Sequence, residues 1–208
     1  GQAVGGLAAL GRGVALHDSG GTVRGGEIRT WDDRLLAQTG SPRADVVMIS
    51  RPALLRILAQ DLEHALHLGV PAPTLPHLAD YDVIVGADGV HSATRAALFG
   101  PVADARPLGV TAWRGWIDGP ASQTSETWGP GALFGITPRD GGLTNWFAAV
   151  RDAPPDPDPT RLRARYRGWR PAVIDVLDRI RPEELLVHEL FQAPFLPRYV
   201  RGNVVLIG

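Results

Sequence analysis

The residues with the greatest capacity for chemistry lie in one short segment, Val85–Arg95, whose sequence is VGADGVHSATR. Gly86 and Gly89 carry no side chain, so a ligand could approach the backbone closely there. Asp88 could accept hydrogen bonds from a hydroxyl-rich ligand, and Arg95 could donate paired hydrogen bonds to ligand oxygens. The segment therefore predicts a site for a ligand that carries both hydroxyl groups and negative charge.

A helix predicted to begin near Ser92 would direct free N–H groups toward the same place, which favours an anion such as phosphate. An ordinary strand–turn–helix connection with an exposed Asp-Gly turn explains these residues equally well. His91 lies inside the turn and is either a ligand contact or a surface group. The residues of this segment alone leave both interpretations open.

The spacing Asp88-Gly89-x-x-Ser92-x-x-Arg95 after an apolar strand resembles the DG motif of the FAD-dependent aromatic-ring hydroxylases, the para-hydroxybenzoate-hydroxylase-like flavoprotein monooxygenases. Ile49–Leu55 is similar to the family's arginine–leucine helix start, and Ala112–Ile117 to the first strand of its substrate-side sheet. Val204–Gly208 is similar to the strand that leads into the second FAD signature. The Trp-Arg-Gly strand and the Phe134–Trp146 hairpin are most similar to the salicylate-, hydroxybenzoate- and urate-hydroxylase or epoxidase types.

The resemblance implies FAD as cofactor, with NAD(P)H and molecular oxygen consumed in hydroxylating or epoxidising an electron-rich aromatic or cyclic small molecule. The residues that it assigns to the cofactor are Arg51, Asp88, Gly89, Ser92, Arg95 and Gly208. Arg114 should share a strand face with Trp116, and the resemblance makes it a candidate substrate contact. No catalytic residue is assigned, because the cofactor supplies the oxidising chemistry while the protein positions the substrate and excludes water.

Two parts of the family pattern are absent from the sequence. The glycines between Gly1 and Gly13 lack the GxGxxG spacing of an ADP-binding turn, and the second FAD signature would continue past Gly208. We therefore expect an internal fragment that does not retain FAD by itself. Two other hypotheses stay open: a non-catalytic remnant of such an enzyme, and another DG-motif flavoprotein such as a reductase or a halogenase.

The order of the predicted elements favours an α/β fold. Tyr81–Ala87 is a short apolar run typical of a strand buried on both faces. Further strands are predicted at Val110–Ile117, Ala132–Thr137, Leu143–Val150, Leu185–Phe191 and Asn203–Gly208, and a loose hairpin at Val23–Leu36. Helices are predicted from Ser50 to Gly69, over Thr160–Trp169 and over Pro171–Ile180, with a solvated proline-rich linker at Asp152–Pro159.

The resemblance also implies a division of the chain. Residues 1–100 would be a partial FAD-binding domain of the glutathione-reductase type, with part of the substrate-side sheet near 20–45. Residues 101–195 would form a mixed substrate-binding sheet with helices, and residues 196–208 a truncated return strand. The aromatic residues Trp113, Trp116, Trp128, Trp146 and Phe147 could either wall a substrate pocket or fill the core of that sheet.

Composition limits the possible partners. The net charge is −1, so neither a nucleic acid nor a membrane is expected as partner, and no cysteine is present to form disulfides or thiolate ligands. His64 and His67 stand three positions apart, but no third ligand accompanies them, so we expect solvated residues rather than a metal site. The alternating arginines between Arg161 and Arg167 predict a solvated helix. A cytoplasmic location is the expectation.

Overall fold

The computed structural model describes residues 2–23, 25–39 and 46–207. The chain divides into two compact units, one formed by Gly1–Leu66 with Val110–His188 and the other by His67–Gly109 with Glu189–Gly208. Each unit has its own hydrophobic core. The division into residues 1–100, 101–195 and 196–208 stays a prediction.

The chain contains both helices and strands, interspersed along the sequence, which confirms the predicted α/β class. The helices are α1 (Gln2–Ala9), α2 (Gly13–Ser19), α3 (Arg51–Ala59), α4 (Ala93–Phe99), α5 (Pro159–Arg165) and α6 (Pro171–Asp178). The strands are β1 (Gly21–Val23), β2 (Gly26–Thr30), β3 (Leu35–Thr39), β4 (Val46–Met48), β5 (Ile84–Gly86), β6 (Arg106–Asp118), β7 (Thr124–Gly129), β8 (Ala132–Arg139), β9 (Leu143–Arg151), β10 (Leu186–Gln192), β11 (Val200–Arg201) and β12 (Val204–Leu206).

A seven-stranded mixed sheet with the order β10-β6-β9-β8-β7-β2-β3 forms the centre of the first unit. Strand β2 runs parallel to β7, whereas β6, β9, β8 and β7 pair antiparallel in succession. Arg114 pairs with Phe147, which pairs in turn with Gly135. Directly paired residues project to the same side of a sheet, so these three lie on one face.

The opposite face of this sheet is buried beneath α5 and α6. The fully buried side chains Trp113, Phe134 and Trp146 lie in one cluster with apolar residues of the two helices. Burying side chains of this size stabilises the fold by roughly 1.5–3 kcal/mol each. The Tyr166 hydroxyl donates to the Leu133 carbonyl at 2.9 Å, and burial raises the pKa of Tyr166.

An ion-pair cluster joins the β2–β3 hairpin to the start of α6. The buried Glu27 carboxylate lies 2.8 Å from the Arg29 Nε and 3.1 Å from an Arg170 terminal nitrogen. Partial burial opposes ionisation, but the hydrogen bonds from both arginines outweigh it and hold the pKa of Glu27 below its ordinary value. The hairpin predicted at Val23–Leu36 is thus confirmed, with its strands at Gly26–Thr30 and Leu35–Thr39.

The second unit contains a three-stranded sheet with the order β11-β12-β5. Strand β12 runs parallel to β5 and antiparallel to β11. Its small core consists of Ala103, Leu196 and Leu206, against which two partly buried residues of α4 pack. The predicted succession of strand, tight turn and helix is confirmed by β5 and α4.

The burial predicted for Tyr81–Ala87 is wrong. Only Ile84–Gly86 forms a strand, and it lies at the edge of the three described strands. Val83 and Val85 are 64% and 53% exposed. An apolar run is buried on both faces only where other layers cover it, and the described part of this unit leaves Val85 more than half exposed.

Other local predictions also need correction. The helix predicted from Ser50 to Gly69 ends at Ala59, and Asp61 adopts a left-handed φ of +63° that a helix cannot contain. The predicted linker Asp152–Pro159 is not merely solvated, because the Asp156 carbonyl accepts a hydrogen bond from Trp113 Nε1 at 2.7 Å. Helices α1 and α2 and the polar strand β7 were not predicted.

The strands predicted at Val110–Ile117, Ala132–Thr137, Leu143–Val150 and Leu185–Phe191 and the helices predicted at Thr160–Trp169 and Pro171–Ile180 are observed as β6, β8, β9, β10, α5 and α6, with ends that differ by at most about four residues. The short strands β1 and β4 were not predicted. The terminal strand predicted at Asn203–Gly208 is described over Val204–Leu206. Within the described ranges, every helix is too short or too polar to cross a membrane.

Candidate functional site

The turn between β5 and α4 is organised around the Asp88 carboxylate. One carboxylate oxygen accepts a hydrogen bond from the Ser92 hydroxyl. The other accepts from the Thr94 backbone N–H at 2.9 Å and from the Thr94 hydroxyl at 3.0 Å. Ser92 in turn caps the helix, because its Oγ accepts from the Arg95 N–H at 2.9 Å. The aspartate therefore fixes the start of α4 relative to the end of β5.

The Asp88 carboxyl is held in its ionised form. Partial burial opposes ionisation, but the hydrogen bonds from Ser92 and Thr94 outweigh it and lower the pKa of Asp88 from its ordinary value. A carboxylate offers about four acceptor sites, and the turn uses three of them. Because Asp88 is exposed, it can still accept a hydrogen bond from a ligand hydroxyl.

Arg95 lies beneath the turn rather than in front of it. The residue is 5% exposed, and its Nε donates to the Ala103 carbonyl at 2.7 Å. Its terminal nitrogens donate to the carbonyls of Gly89, at 3.2 Å, and Val90. The sequence led us to expect hydrogen bonds to ligand oxygens, whereas the structure directs this guanidinium at the backbone of its own turn.

The expectation of free N–H groups at the start of α4 also needs correction. The N–H groups of Thr94 and Arg95 already bond to Asp88 and Ser92, so the first turn of the helix is capped by the chain itself. His91 packs edge-on against Phe191, with 4.7 Å between the ring centroids.

Glycine is required at two positions of the turn for different structural reasons. Gly89 has a φ of +81°, a left-handed conformation that glycine adopts without strain. A Cβ at Gly86 would lie 2.8 Å from Leu206 and 2.9 Å from the Thr94 side chain. Gly86 is therefore required by packing inside the unit, in addition to any approach by a ligand.

In the first unit, the open face of the seven-stranded sheet carries the other candidate residues. Arg114 and Trp116 lie on it as predicted, because Thr111, Trp113 and Ile117 of the same strand are buried on the opposite face. Trp116 pairs with Asn145. The outer atoms of the Phe147 ring lie next to Gly135, where a Cβ would overlap them. An aromatic and polar surface thus runs across β6, β9 and β8.

A cavity of about 340 Å³ opens above this face. The start of α3 forms one wall, and the residues lining the cavity are Met48, Ile49, Ser50, Arg51, Pro52, Arg114, Gly115, Trp116, Pro138, Arg139, Asp140, Asn145 and Leu186. Arg51, which we predicted to contact the cofactor, and Arg114, which we predicted to contact the substrate, therefore line the same space.

Arg139 was not singled out from the sequence. Its guanidinium carbon lies 4.8 Å from the centre of the Trp116 ring, a cation–π contact. It belongs to the turn Pro138–Gly142, whose composition predicted only a hairpin connection. Arg114 contacts His188, with its Nη2 3.2 Å from the imidazole Nε2. The sequence pattern offered no indication of either contact, because each joins residues on different strands.

The aromatic residues were predicted either to wall a substrate pocket or to fill the core of the sheet, and the structure shows both cases. Trp113 and Trp146 are 1% and 0% exposed and belong to the core, whereas Trp116 lines the cavity. Trp128 is exposed, and its Nε1 donates to Glu126 at 3.0 Å. Of the predicted cofactor residues, the structure brings Asp88, Gly89, Ser92 and Arg95 together in one unit and places Arg51 in the other. Gly208 lies outside the described residues.

Several known proteins are similar to this chain in sequence. No protein-family model matches the chain. It is 34% identical over 135 residues to the aurachin C monooxygenase/isomerase of Stigmatella aurantiaca, a match that covers 61% of this chain and 35% of that protein. It is 30% identical over 141 residues to the FAD-dependent urate hydroxylase of Klebsiella oxytoca, covering 63% and 37%. Over about three fifths of its length, this chain is thus similar to a monooxygenase and to an FAD-dependent hydroxylase.

The fold of the aromatic-ring hydroxylases extends over nearly the whole chain. HpxO of Klebsiella pneumoniae, solved in complex with FAD and uric acid, superposes with a TM-score of 0.76 at 20% identity, covering 99% of this chain and 61% of that one. At this level of identity the likeness concerns the fold alone. The match spans about a third of the length of the two curated relatives.

Proposed function

We propose that this chain provides part of the FAD site and the substrate-facing sheet of an FAD- and NAD(P)H-dependent monooxygenase. The enzyme would hydroxylate or epoxidise an electron-rich aromatic or cyclic small molecule, with molecular oxygen as co-substrate. We further propose that it acts in the cytoplasm, with which the lack of cysteine is compatible. The observation that carries the proposal is the sequence match, over more than half of the chain, to relatives that are named as a monooxygenase and an FAD-dependent hydroxylase.

The chemistry of two residues fits FAD. Arg51 is exposed at the start of α3, and within the described ranges its guanidinium forms no ion pair, so it can bind an anionic pyrophosphate. Asp88 is ionised and has acceptor capacity left for a ribityl or ribose hydroxyl. Each of the two residues offers one kind of contact that a hydroxyl-bearing dinucleotide requires.

The remaining motif residues would hold the turn that contains Asp88 in place. We propose that Ser92 orients Asp88, that Gly89 allows the turn its left-handed backbone, and that Arg95 fixes the turn from below through three carbonyl groups. Gly208 keeps its proposed place next to the cofactor from the family resemblance. When bound, FAD would accept electrons from NAD(P)H and supply the oxygen-activating chemistry.

The open sheet face would bind the substrate. Trp116 offers an apolar aromatic surface, while Asn145 and Arg114 offer hydrogen-bond donors at its edges. These residues would orient a ring and keep water away from it; none needs to exchange a proton for the reaction that we propose. No catalytic acid or base is therefore assigned.

The test is to express the complete reading frame that encodes these residues and to purify the protein without added flavin. We expect a yellow protein that releases FAD on denaturation and oxidises NAD(P)H faster with at least one member of a panel of aromatic and cyclic compounds. Mass spectrometry should then find that compound with one added oxygen atom. A colourless protein that does not bind added FAD contradicts the proposal.

A further inference from the structure

A second cavity lies on the helix-covered face of the seven-stranded sheet, opposite the open face. This helix-side chamber is the space between Glu27, Ser125 and Ile136 on the strands and Val176 on α6. Residues 120–123, which connect β6 to β7, line its mouth. The volume is about 240 Å³, room for about eight water molecules at roughly 30 Å³ each or for one small organic molecule.

The floor of the chamber is polar although it is deeply buried. Glu27 and Ser125 are only 8% and 6% exposed. Glu27 pairs with Ser125 across β2 and β7, and Ser125 pairs with Ile136 on β8, so all three project to the same face. Among the described residues, none forms a hydrogen bond with the Ser125 hydroxyl. Because buried polar groups are normally satisfied, we expect a bound molecule to supply this partner.

The Glu27 carboxylate also has acceptor capacity left. Arg29 and Arg170 contact the same carboxylate oxygen, Oε1, at 2.8 and 3.1 Å. No donor from the described part of the chain reaches the second oxygen, Oε2. A carboxylate offers about four acceptor sites, so Oε2 can accept a hydrogen bond from a group that enters the chamber beside Ser125.

The charges in and beside the chamber balance one another. Three carboxylates pair with three guanidinium groups at 2.8 to 3.4 Å, namely Glu27, Asp33 and Asp175 with Arg29, Arg170 and Arg179. A cation would therefore meet the arginines that surround Glu27, and an anion would meet the carboxylates. The ligand that fits such a space has no net charge.

The walls and the mouth of the chamber differ in polarity. Ile117, Ile136 and Val176 are buried and provide aliphatic walls. Ser122 and Gln123 are exposed at the mouth and offer a hydroxyl and an amide group. A short carbon chain with hydroxyl groups at both ends matches the polar floor, the apolar walls and the polar mouth.

We infer that the helix-side chamber binds a small neutral polyol. One end of the polyol would bond to Glu27 Oε2 and the Ser125 hydroxyl, and the other end to Ser122 and Gln123. This site lies on the other side of the sheet from Arg114, so it is separate from the site of the proposed function and does not depend on FAD.

The test uses the product of the complete reading frame with isotope-labelled isoleucine methyl groups, because Ile117 and Ile136 line the chamber. Erythritol carries a hydroxyl group on every carbon. The other probes have chains of the same length: n-butanol carries one terminal hydroxyl, and butylammonium and butyrate carry a charge. Erythritol should shift both methyl signals saturably and bind about tenfold more tightly than the other probes, because it forms additional hydrogen bonds. The methyl signal of Ile57, on α3, should not move.

Variants locate the binding site. Ser125→Ala removes only the hydroxyl oxygen and should weaken erythritol binding about fivefold. Thr127→Val is the matched control, because Thr127 lies on the same face of β7 and its buried hydroxyl also has no partner among the described residues, but it does not line the chamber. Ala172→Leu places a larger side chain in the chamber and should abolish binding. Circular dichroism should show that the variants are folded.

Several outcomes would overturn the inference. If erythritol causes no saturable shift, the chamber holds only water. Binding of n-butanol, butylammonium or butyrate as tight as that of erythritol would refute a neutral polyol as the ligand. Equal erythritol affinities of Ser125→Ala and Thr127→Val, or unchanged binding by Ala172→Leu, would place the ligand elsewhere. Retention of FAD, measured on the same protein, decides the proposed function independently of these results.

Discussion

The Nε of Arg95 donates a hydrogen bond to the carbonyl oxygen of Ala103 at 2.7 Å, from a side chain that is almost completely buried. The same guanidinium bonds to the carbonyls of Gly89 and Val90. One arginine thus connects both ends of the segment from the Asp-Gly turn to the residues after α4. In this structure the last residue of the DG motif acts on the shape of the turn.

Arg95→Met should therefore lower the free energy of unfolding by about 3 kcal/mol or more, because it leaves three carbonyls without their charged donor. Arg95→Lys should not restore the loss, since one ammonium group cannot reach three carbonyls in the geometry of a guanidinium. Urea unfolding measures the free energy of unfolding of both variants. Arg198→Met, at an exposed position of the same unit, is the control. Equal effects of Arg95→Met and Arg198→Met would refute the structural role.

Asp88 predicts a pH-dependent contribution to stability. Because its folded-state pKa is lowered, its stabilising effect is fully present above its unfolded pKa of about 3.9 and is lost as the pH falls through the lower folded value. The difference in unfolding free energy between wild type and Asp88→Asn should therefore shrink as the pH falls below about 4. Denaturant titrations of both proteins across this range measure it. A difference independent of pH would show that the ionised carboxylate does not support the turn.

Arg51 is expected to contact the cofactor. In the product of the complete reading frame, Arg51→Ala should weaken FAD binding by roughly 1.5–3 kcal/mol, the contribution of a hydrogen bond to a charged group. Arg56→Ala, on the same helix and also exposed, provides the control. Quenching of flavin fluorescence during a protein titration gives both affinities. Equal FAD affinities of the two variants would remove Arg51 from the proposed site.

The contact between Gly135 and Phe147 can be tested by a double-mutant cycle. Gly135→Ala should cost about 1–3 kcal/mol of stability, because the new methyl group would overlap the Phe147 ring. In a Phe147→Ala background the same change should cost much less. Gly21→Ala, where a Cβ meets no atom within 4 Å, is the control. If the cost of Gly135→Ala does not depend on Phe147, the ring does not lie over this glycine in solution.

Breaking the buried ion pair between Glu27 and Arg170 should lower the free energy of unfolding. Glu27→Gln should destabilise the first unit by about 3–5 kcal/mol, since Arg170 would keep its charge in a buried position without its buried carboxylate partner. Asp33→Asn is the comparison, because Asp33 also pairs with Arg170 but has a side chain that is 50% exposed. Thermal unfolding should separate the two variants clearly. Similar melting temperatures would show that the pairing of Glu27 contributes little.

Several features of this protein could be predicted from the sequence by itself. The Asp-Gly turn, the helix start near Ser92 and the hairpin at Pro138–Gly142 depend on local chemistry, namely a glycine with positive φ, a hydroxyl next to a helix start and a turn composition. The shared face of Arg114 and Trp116 follows from the two-residue period of a strand. Such features need only neighbouring residues, so the sequence carried enough information to determine them.

The tertiary structure decided which of these residues meet and which are covered. Trp146 and Trp116 are both strand tryptophans, but only the position of α5 and α6 makes one core and leaves the other in the cavity. The cation–π contact of Arg139 with Trp116 links two different strands. The buried Arg95 has its hydrogen-bond acceptor in the carbonyl of Ala103, eight residues further along the chain. The exposed Val85 was predicted to be buried. The physical reason is common to all of them: burial, charge and contact are properties of the surrounding layers, which residues distant in the sequence supply.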